Sequence, residues 1–480
     1  TVGGDNDKFN INATTGEVTF KVSPDFEVPT DIGGNNVYDI TVHAKDGVFD
    51  TTKAVAITVT DVNDNAPVFT SGKRTPREFL ERCLEVIAAR DKTVKAFVTL
   101  DAAGARKAAD AATKRHKAGK PLSPVDGMPV AIKDIIATAG MPTQMNCPAF
   151  KGWQSGQDAA CVAALRQGGA IIIGKTVTTE FAIGYSGPTT NPFDPARTPG
   201  GSSSGSAAAV GAGMVPAGLG TQTQASTLRP ASYCGAVGFK PTIGTLHTAG
   251  IHPLSATCDH LGLIAGTLDD GWRVASHISL AIGSPGNPFL TGAGALPPLP
   301  RKPKKLIRLY TRGWTEIDSD TEDAFNETIA ALQFAGVKIA SRDNDPGIAR
   351  LEAALDAGVD GAIAIVAYEM KWPYEDYIAR FGSVIGKRIH GLIEQARGMS
   401  PEDYEKLLEN RRRVRHLVHE MAGGADGYIT LAASGPAILG HEYTGSRTFL
   451  VYGSWLGLPA FSLPLMQVNG LPVGIQLIGE

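Results

Sequence analysis

The tract Pro199-Gly200-Gly201-Ser202-Ser203-Ser204-Gly205-Ser206 runs without a break into the apolar stretch Ala207-Ala208-Ala209-Val210. A Gly/Ser run taken alone is the composition of a flexible linker. Leading directly into an apolar helix, it instead holds its amides and hydroxyls at a helix N-terminus inside a core. The chain has the material for such a core, with 480 residues, 43% of them hydrophobic and 19% charged, as in a globular protein. That length exceeds what one ordinary core serves, so two domains, or one large domain with an appendage, are expected.

The texture changes near residue 72. Residues 1–70 are rich in Val, Ile, Thr, Asp and Asn, and the alternating runs Tyr38-Asp39-Ile40-Thr41-Val42 and Ala54-Val55-Ala56-Ile57-Thr58-Val59 predict strands. From Thr75 the pattern is helical: Thr75 caps, Pro76 takes the first position, Glu78 completes a capping box, and Phe79, Leu80, Cys83, Leu84 and Ile87 share one face. Beyond it, the runs 170–174 and 305–309 predict buried strands, and 158–168, 319–335, 351–358 and 401–421 predict helices. The expected fold class is α/β, an α/β/α sandwich around a large mixed sheet preceded by a small all-β segment. The expected domains are residues 1–72 and 73–480.

Charge narrows the partners. A formal net charge of -3 gives no electrostatic reason for nucleic acid or an anionic membrane as partner. No apolar run reaches the length of a membrane span, and the first residues show no basic region followed by an apolar one. The five cysteines, Cys83, Cys147, Cys161, Cys234 and Cys258, are odd in number and scattered without CxxC spacing. They are expected as buried reduced thiols rather than a disulfide framework or zinc site, which favours a cytoplasmic setting.

Two resemblances follow from motifs. GDNDKFNINATTGEVT and DVNDNAPVF resemble an incomplete cadherin repeat, which implies Asp61, Asn63 and Asp64 as candidate Ca²⁺ ligands. From about residue 76 onward the chain is similar to the amidase signature family. The similarity is carried by GMPVAIKD around Lys133, GKTVTTEFAIG, NPFDPARTPGGSSSGSAAAV around Ser202, GTQTQASTLRPASYCGAVGFKPTIG around Ser226, and GLPAFSLP. The intervals between positions 133, 202 and 226 agree with those of the family's smaller members.

This resemblance implies a Ser-Ser-Lys triad. Ser226 is the implied nucleophile, Ser202 the bridging hydroxyl after a cis peptide bond from Gly201, and Lys133 the base. A serine hydroxyl is a weak nucleophile and needs an adjacent base. A lysine can serve only when neutral, which burial among Val130, Ala131 and Ile132 would favour. The backbone N–H groups of Thr223, Gln224, Ala225 and Ser226 are the expected oxyanion hole. Family members usually carry two glycines where Gln224 and Ala225 stand; if the turn needed positive φ there, the two β-carbons would strain it. Gln224 is expected to reshape the pocket and narrow substrate choice. Arg229 is a candidate for a substrate carboxylate or a structural ion pair, and Tyr185 and Asn191 are candidate pocket residues. The histidines have no place in the relay.

The implied activity is hydrolysis of C–N bonds in a small-molecule amide or carbamate, without metal or organic cofactor. An aryl amide or urethane is favoured if part of the stripe Tyr368, Met370, Trp372, Tyr374 and Tyr377 faces the pocket. The alternatives are an A-type amidotransferase subunit that works with partners, and a cadherin-like calcium-binding surface protein with a vestigial hydrolase. The sequence assigns no oligomeric state.

Overall fold

The computed structural model describes residues 4–12, 15–22, 24, 30–45, 50–59, 74–284, 289–294 and 297–480. The chain forms two compact units, Thr1–Asp64 and Asn65–Glu480. In the first, β1 (Phe9–Ile11) pairs antiparallel with β2 (Val18–Phe20), and β3 (Val37–Lys45) with β4 (Asp50–Thr58). The alternation along β3 places Tyr38 and Ile40 inside. The Tyr38 ring meets Phe9 and Phe20 edge-on at centroid distances of 6.0 and 5.0 Å. The candidate calcium ligands Asp61, Asn63 and Asp64 lie outside the described residues.

The second unit is built on an 11-stranded mixed sheet. Its strands are β5 (Phe97–Leu100), β6 (Pro129–Lys133), β7 (Ile171–Thr176), β8 (Ala217–Gln222), β9 (Val237–Lys240), β10 (His260–Ala265), β11 (Lys305–Arg308), β12 (Lys338–Ala340), β13 (Tyr428–Leu431), β14 (Ala460–Val468) and β15 (Leu471–Ile478). They lie in the order β12-β11-β13-β15-β14-β9-β10-β8-β6-β7-β5. β6 runs parallel to both its neighbours, β7 and β8. All residues of β6, β7 and β8 are buried, as expected of strands covered on both faces. Helices flank this sheet, giving the α/β sandwich expected from the sequence.

Local signals account for most helix ends. Helix α1 (Pro76–Val94) opens with the full Thr75–Glu78 capping box and buries Phe79, Leu80, Cys83, Leu84 and Ile87. The helix expected over 351–358 is the middle of a much longer one, α4 (Pro346–Glu369), which starts at an Asp345 cap with Pro346 in its first turn. Further on, α5 (Lys371–Phe381), α6 (Lys387–Arg397) and α7 (Pro401–Ala422) follow one another, the last opened by the Ser400–Asp403 capping box.

The Gly/Ser tract becomes α2 (Ser204–Gly211), a helix with every residue buried. Its side chains are small and uncharged on all sides, with the Ser204 and Ser206 hydroxyls donating to the carbonyls of Val177 and Leu219, as suits a helix enclosed by a core. Gly205 is required there. A Cβ on it would lie 2.3 Å from the Ala96 carbonyl oxygen and 2.4 Å from Val177 N, while its own N–H donates to Val177 O at 2.9 Å. Gly205→Ala is therefore expected to destabilise the fold by about 1–3 kcal/mol. A urea unfolding midpoint equal to that of the parent would contradict this close approach.

Candidate active site

Strand β6 carries Lys133 to its last position, where the side chain is fully buried. Its Nζ lies 2.7 Å from Ser202 Oγ and 2.8 Å from Thr221 Oγ1. Among the described residues no carboxylate touches it, which sets it apart from Lys175, whose Nζ is 3.2 Å from Asp134. The third buried lysine, Lys240, donates to the carbonyls of Pro241 and Leu458. Burial holds the Lys133 pKa well below the ordinary lysine value, opposed by the more distant charge of Asp259. A neutral amine between hydroxyls can accept a proton from one of them.

Ser202 follows a cis peptide bond from Gly201. Arg229 fixes this segment from behind: its Nη2 donates to Gly201 O at 2.6 Å and to Thr444 Oγ1 at 2.9 Å. Its Nη1 donates to the carbonyls of Gly445 at 2.8 Å and Ser446 at 3.1 Å. Burial lowers its pKa to about 10. Arg229 thus serves carbonyls and a hydroxyl of the 201 and 444–446 segments, with no ion pair among the described residues, while its Nε has no partner and the residue lines the serine cavity.

Ser226 sits in the turn between β8 and α3 (Leu228–Tyr233). The two serine segments meet where Ser203 N–H donates to Ser226 O at 3.1 Å. Gln222 shapes the turn, its Oε1 accepting from the amides of Thr227 at 2.9 Å and Leu228 at 3.0 Å. Gln222 Nε2 donates to Ser454 Oγ at 2.9 Å, which donates in turn to Gln224 O at 2.9 Å. Among the described residues, the N–H groups of Thr223, Gln224, Ala225 and Ser226 have no intramolecular acceptor. They are free to donate to a developing oxyanion. Gln224 and Ala225 are absent from the positive-φ residues, so the strain anticipated for replacing glycines does not arise.

Ser202, Ser226, the 223–225 backbone and Arg229 line one cavity with Arg388, Glu442, Tyr443 and Arg447. It is small, about 110 Å³, beside a second cavity of about 530 Å³ that meets it at Thr223 and Leu254. The larger cavity contains neither serine; chemistry, not size, marks the site. Asn191 and Tyr185 line neither. Asn191 is buried in a turn, donating to Thr198 O and Tyr233 O, and the Tyr185 ring is exposed.

The aromatic and Met stripe also lies elsewhere. Met370 and Tyr374 are core residues, Tyr377 stacks on Phe181, and Tyr368 and Trp372 line the second cavity. Half-buried His252 and buried His260 have pKa values lowered first by desolvation, so neither is a ready base. All five cysteines are free and buried. Among the described residues no cluster of His, Cys, Asp or Glu is placed to hold a metal, and no helix is long and apolar enough to cross a membrane.

Sequence reasoning missed Thr221 and Gln222. Both stand in GTQTQAS, and the signal available was polar residues ending a strand just before the nucleophile position. Strand pairing turns Thr221 toward Lys133, which no spacing rule states.

A family model described as Amidase matches residues 78–480. The chain belongs to the amidase signature family. The glutamyl-tRNA(Gln) amidotransferase A subunit from Chloroflexus aggregans is 42% identical over 458 residues, covering 85% of this chain and 90% of that protein. The A subunit from Chloroflexus aurantiacus is 43% identical over 206 residues, covering 42% of each chain. Among solved structures, one described as a crystal structure of amidase superposes with a TM-score of 0.74 at 26% identity, covering 87% of this chain and 95% of that one. The family match does not extend to residues 1–77.

The Arg229 contacts give a direct test in this amidase-family chain. Arg229→Leu leaves the carbonyls of Gly201, Gly445 and Ser446 without their buried donor, at an expected cost of about 2–4 kcal/mol. Chemical denaturation reads it; an unchanged midpoint would mean the guanidinium does not hold the Ser202 segment.

Proposed function

We propose that the chain is a C–N hydrolase that opens a small polar carboxamide through an acyl-Ser226 intermediate and releases ammonia, in the manner of an A-type amidotransferase subunit. The observation that carries this is the buried Lys133 amine, 2.7 Å from Ser202 Oγ and free of carboxylate contact, beside a cavity shared by both serines. Ser226 Oγ attacks the amide carbon and passes its proton through the Ser202 hydroxyl to Lys133. The free N–H groups of residues 223–226 receive the carbonyl oxygen as it gains charge. Lys133 then returns the proton through Ser202 to the leaving nitrogen. Water, deprotonated by the same pair, frees the acid and restores Ser226.

Substrate class follows from the walls. The aryl amide or urethane expectation rested on a resemblance to the family's aryl acylamidases and urethanases and on the aromatic stripe, whose residues do not line the serine cavity. A small cavity whose lining is mostly polar, with Thr, Ser, Gln and Arg side chains beside Ile183, Leu254 and Tyr443, suits a small polar amide. The names of the relatives support an amidotransferase subunit, hence a protein partner that accepts or channels the released ammonia. We further read residues 1–72 as a cadherin-like segment ahead of a catalytic domain at 73–480.

Two measurements test this reading. A small fluorophosphonate is expected to label Ser226, with labelling slowed about 10²- to 10⁴-fold in Lys133→Ala; labelling elsewhere, or indifferent to Lys133, would refute the relay. The isolated chain should release ammonia from small primary carboxamides faster than it releases aniline from an aryl carbamate, and the reverse preference would restore the aryl reading.

The pH dependence has a definite sign. Lys133 works only as the free amine, so kcat/KM falls as pH drops through its depressed pKa and is retained above it. An ordinary lysine would place that limb near about 10.4. A pH–rate profile still rising there would show that burial does not neutralise Lys133.

A further inference from the structure

Two cavities of very different size abut at one wall. The serine cavity of about 110 Å³ and its neighbour of about 530 Å³ share Thr223 and Leu254 in their linings. An apolar cavity of about 150 Å³ takes up one benzene, so a ring carried on an amide exceeds the serine cavity but not its neighbour. The larger cavity also has suitable walls, with Tyr368, Trp372 and Tyr404 beside Ile135 and Ile251. Thr221, whose Oγ1 is 2.8 Å from Lys133 Nζ, lines it too. The larger cavity therefore lies on the side of the proton relay, where the leaving nitrogen receives its proton.

The shared wall is fixed from behind. Thr223 Oγ1 donates to Asp259 Oδ1 at 2.7 Å, and the amides of Leu254 and Ser255 donate to Asp259 Oδ2 at 2.8 and 3.0 Å. Desolvation raises the Asp259 pKa to about 6, so at neutral pH it is a carboxylate that accepts from all three donors. Tyr374 Oη donates to Pro253 O at 3.2 Å, and Glu369 at the end of α4 accepts from the hydroxyls of Ser255 and Thr257 and from the Thr257 amide. The backbone is thus tied on both sides of Leu254, whose buried side chain fills the wall. Truncating a side chain on a segment held in this way leaves its volume open, because the surroundings relax only in part.

We propose that Leu254 sets the size of the leaving group. Its side chain, beside the pinned Thr223, closes the serine cavity against the larger one and restricts cleavage to amides with a small leaving group. Shortening it joins the two cavities, so that the ring of an anilide enters the aromatic cavity while its carbonyl stays at residues 223–226. This rests on reading Ser226 as the nucleophile of a carboxamide hydrolase. The reaction is unchanged: Ser226 takes the acyl group, aniline leaves with the proton returned through Ser202, and water frees the acid.

The test measures acetamide, acetanilide and benzamide as substrates of the full chain and of its Leu254→Ala and Leu254→Val variants. Leu254→Ala is expected to raise the acetanilide-to-acetamide ratio of kcat/KM by about tenfold or more. The ratio for benzamide, whose ring sits on the acyl side, should rise much less. Leu254→Val, which removes a single methylene, should act in the same direction by less, and it keeps the test decisive if the alanine variant does not fold. An unchanged acetanilide ratio in whichever variant folds, or an equal or larger gain on benzamide, would overturn the inference. Binding of acetanilide to Ser226→Ala, followed by calorimetry, reads the wall without turnover and should tighten about tenfold when Leu254→Ala is added. Failure of the parent chain and both variants to cleave any of the three amides would refute the hydrolase reading, while acetanilide binding indifferent to Leu254 would overturn the role of the wall.

Discussion

A lysine amine enclosed among hydroxyls, with no acid in contact among the described residues, is the constraint on which the second unit is arranged. An ammonium at that depth would need a partner, and Ser202 and Thr221 are neutral. The environment therefore disfavours the ammonium form, and it does so through the sheet. Lys133 ends β6, opposite Thr176 on β7, while Thr221 approaches from β8. Thr176 Oγ1 is 2.7 Å from Ser206 Oγ, tying the strand ends to α2. A slip of one residue in β6 would turn Lys133 to the opposite face; register and proton affinity are thus set together.

Much of this was legible in the chain. The capping boxes at Thr75 and Ser400, the apolar face of α1, and the buried Gly/Ser helix follow from local chemistry and periodicity. Lys133 and Ser202, 69 residues apart in sequence, meet at hydrogen-bond distance. What could not be read were contacts that exist only once distant strands pair. Thr221 is an ordinary threonine until β8 lies beside β6, and nothing in the sequence near Arg229 announces the 444–446 carbonyls that it also holds. Asn191 and Tyr185 stand near the tract in sequence yet do not line the cavity: Asn191 turns to the carbonyls of Thr198 and Tyr233, and the Tyr185 ring is exposed although Gly184 and Ser186 on either side do line it.

The aromatic stripe shows the same limit from the other direction. Helical spacing places Met370, Tyr374 and Tyr377 on a common side but cannot say what that side meets. Phe150, Phe181 and His252 meet it, and the rings interlock edge to face. A cluster of that kind stabilises a wall rather than receiving a substrate. In the lining of the serine cavity, Gln224 and Ala225 stand without positive φ, so their side chains bring no backbone strain.

The hydrogen bonds from Ser454 to the Gln224 carbonyl and from Arg229 to Gly445 and Ser446 bear on the order in which the molecule is made. The residues that fix the Ser226 turn are translated 216 to 230 positions after the groups they hold. A ribosome-bound chain that has reached only Ser226 has every member of the triad but not the geometry. The nucleophile turn thus depends on contacts of long sequence separation, completed only once the chain beyond Ser454 is present.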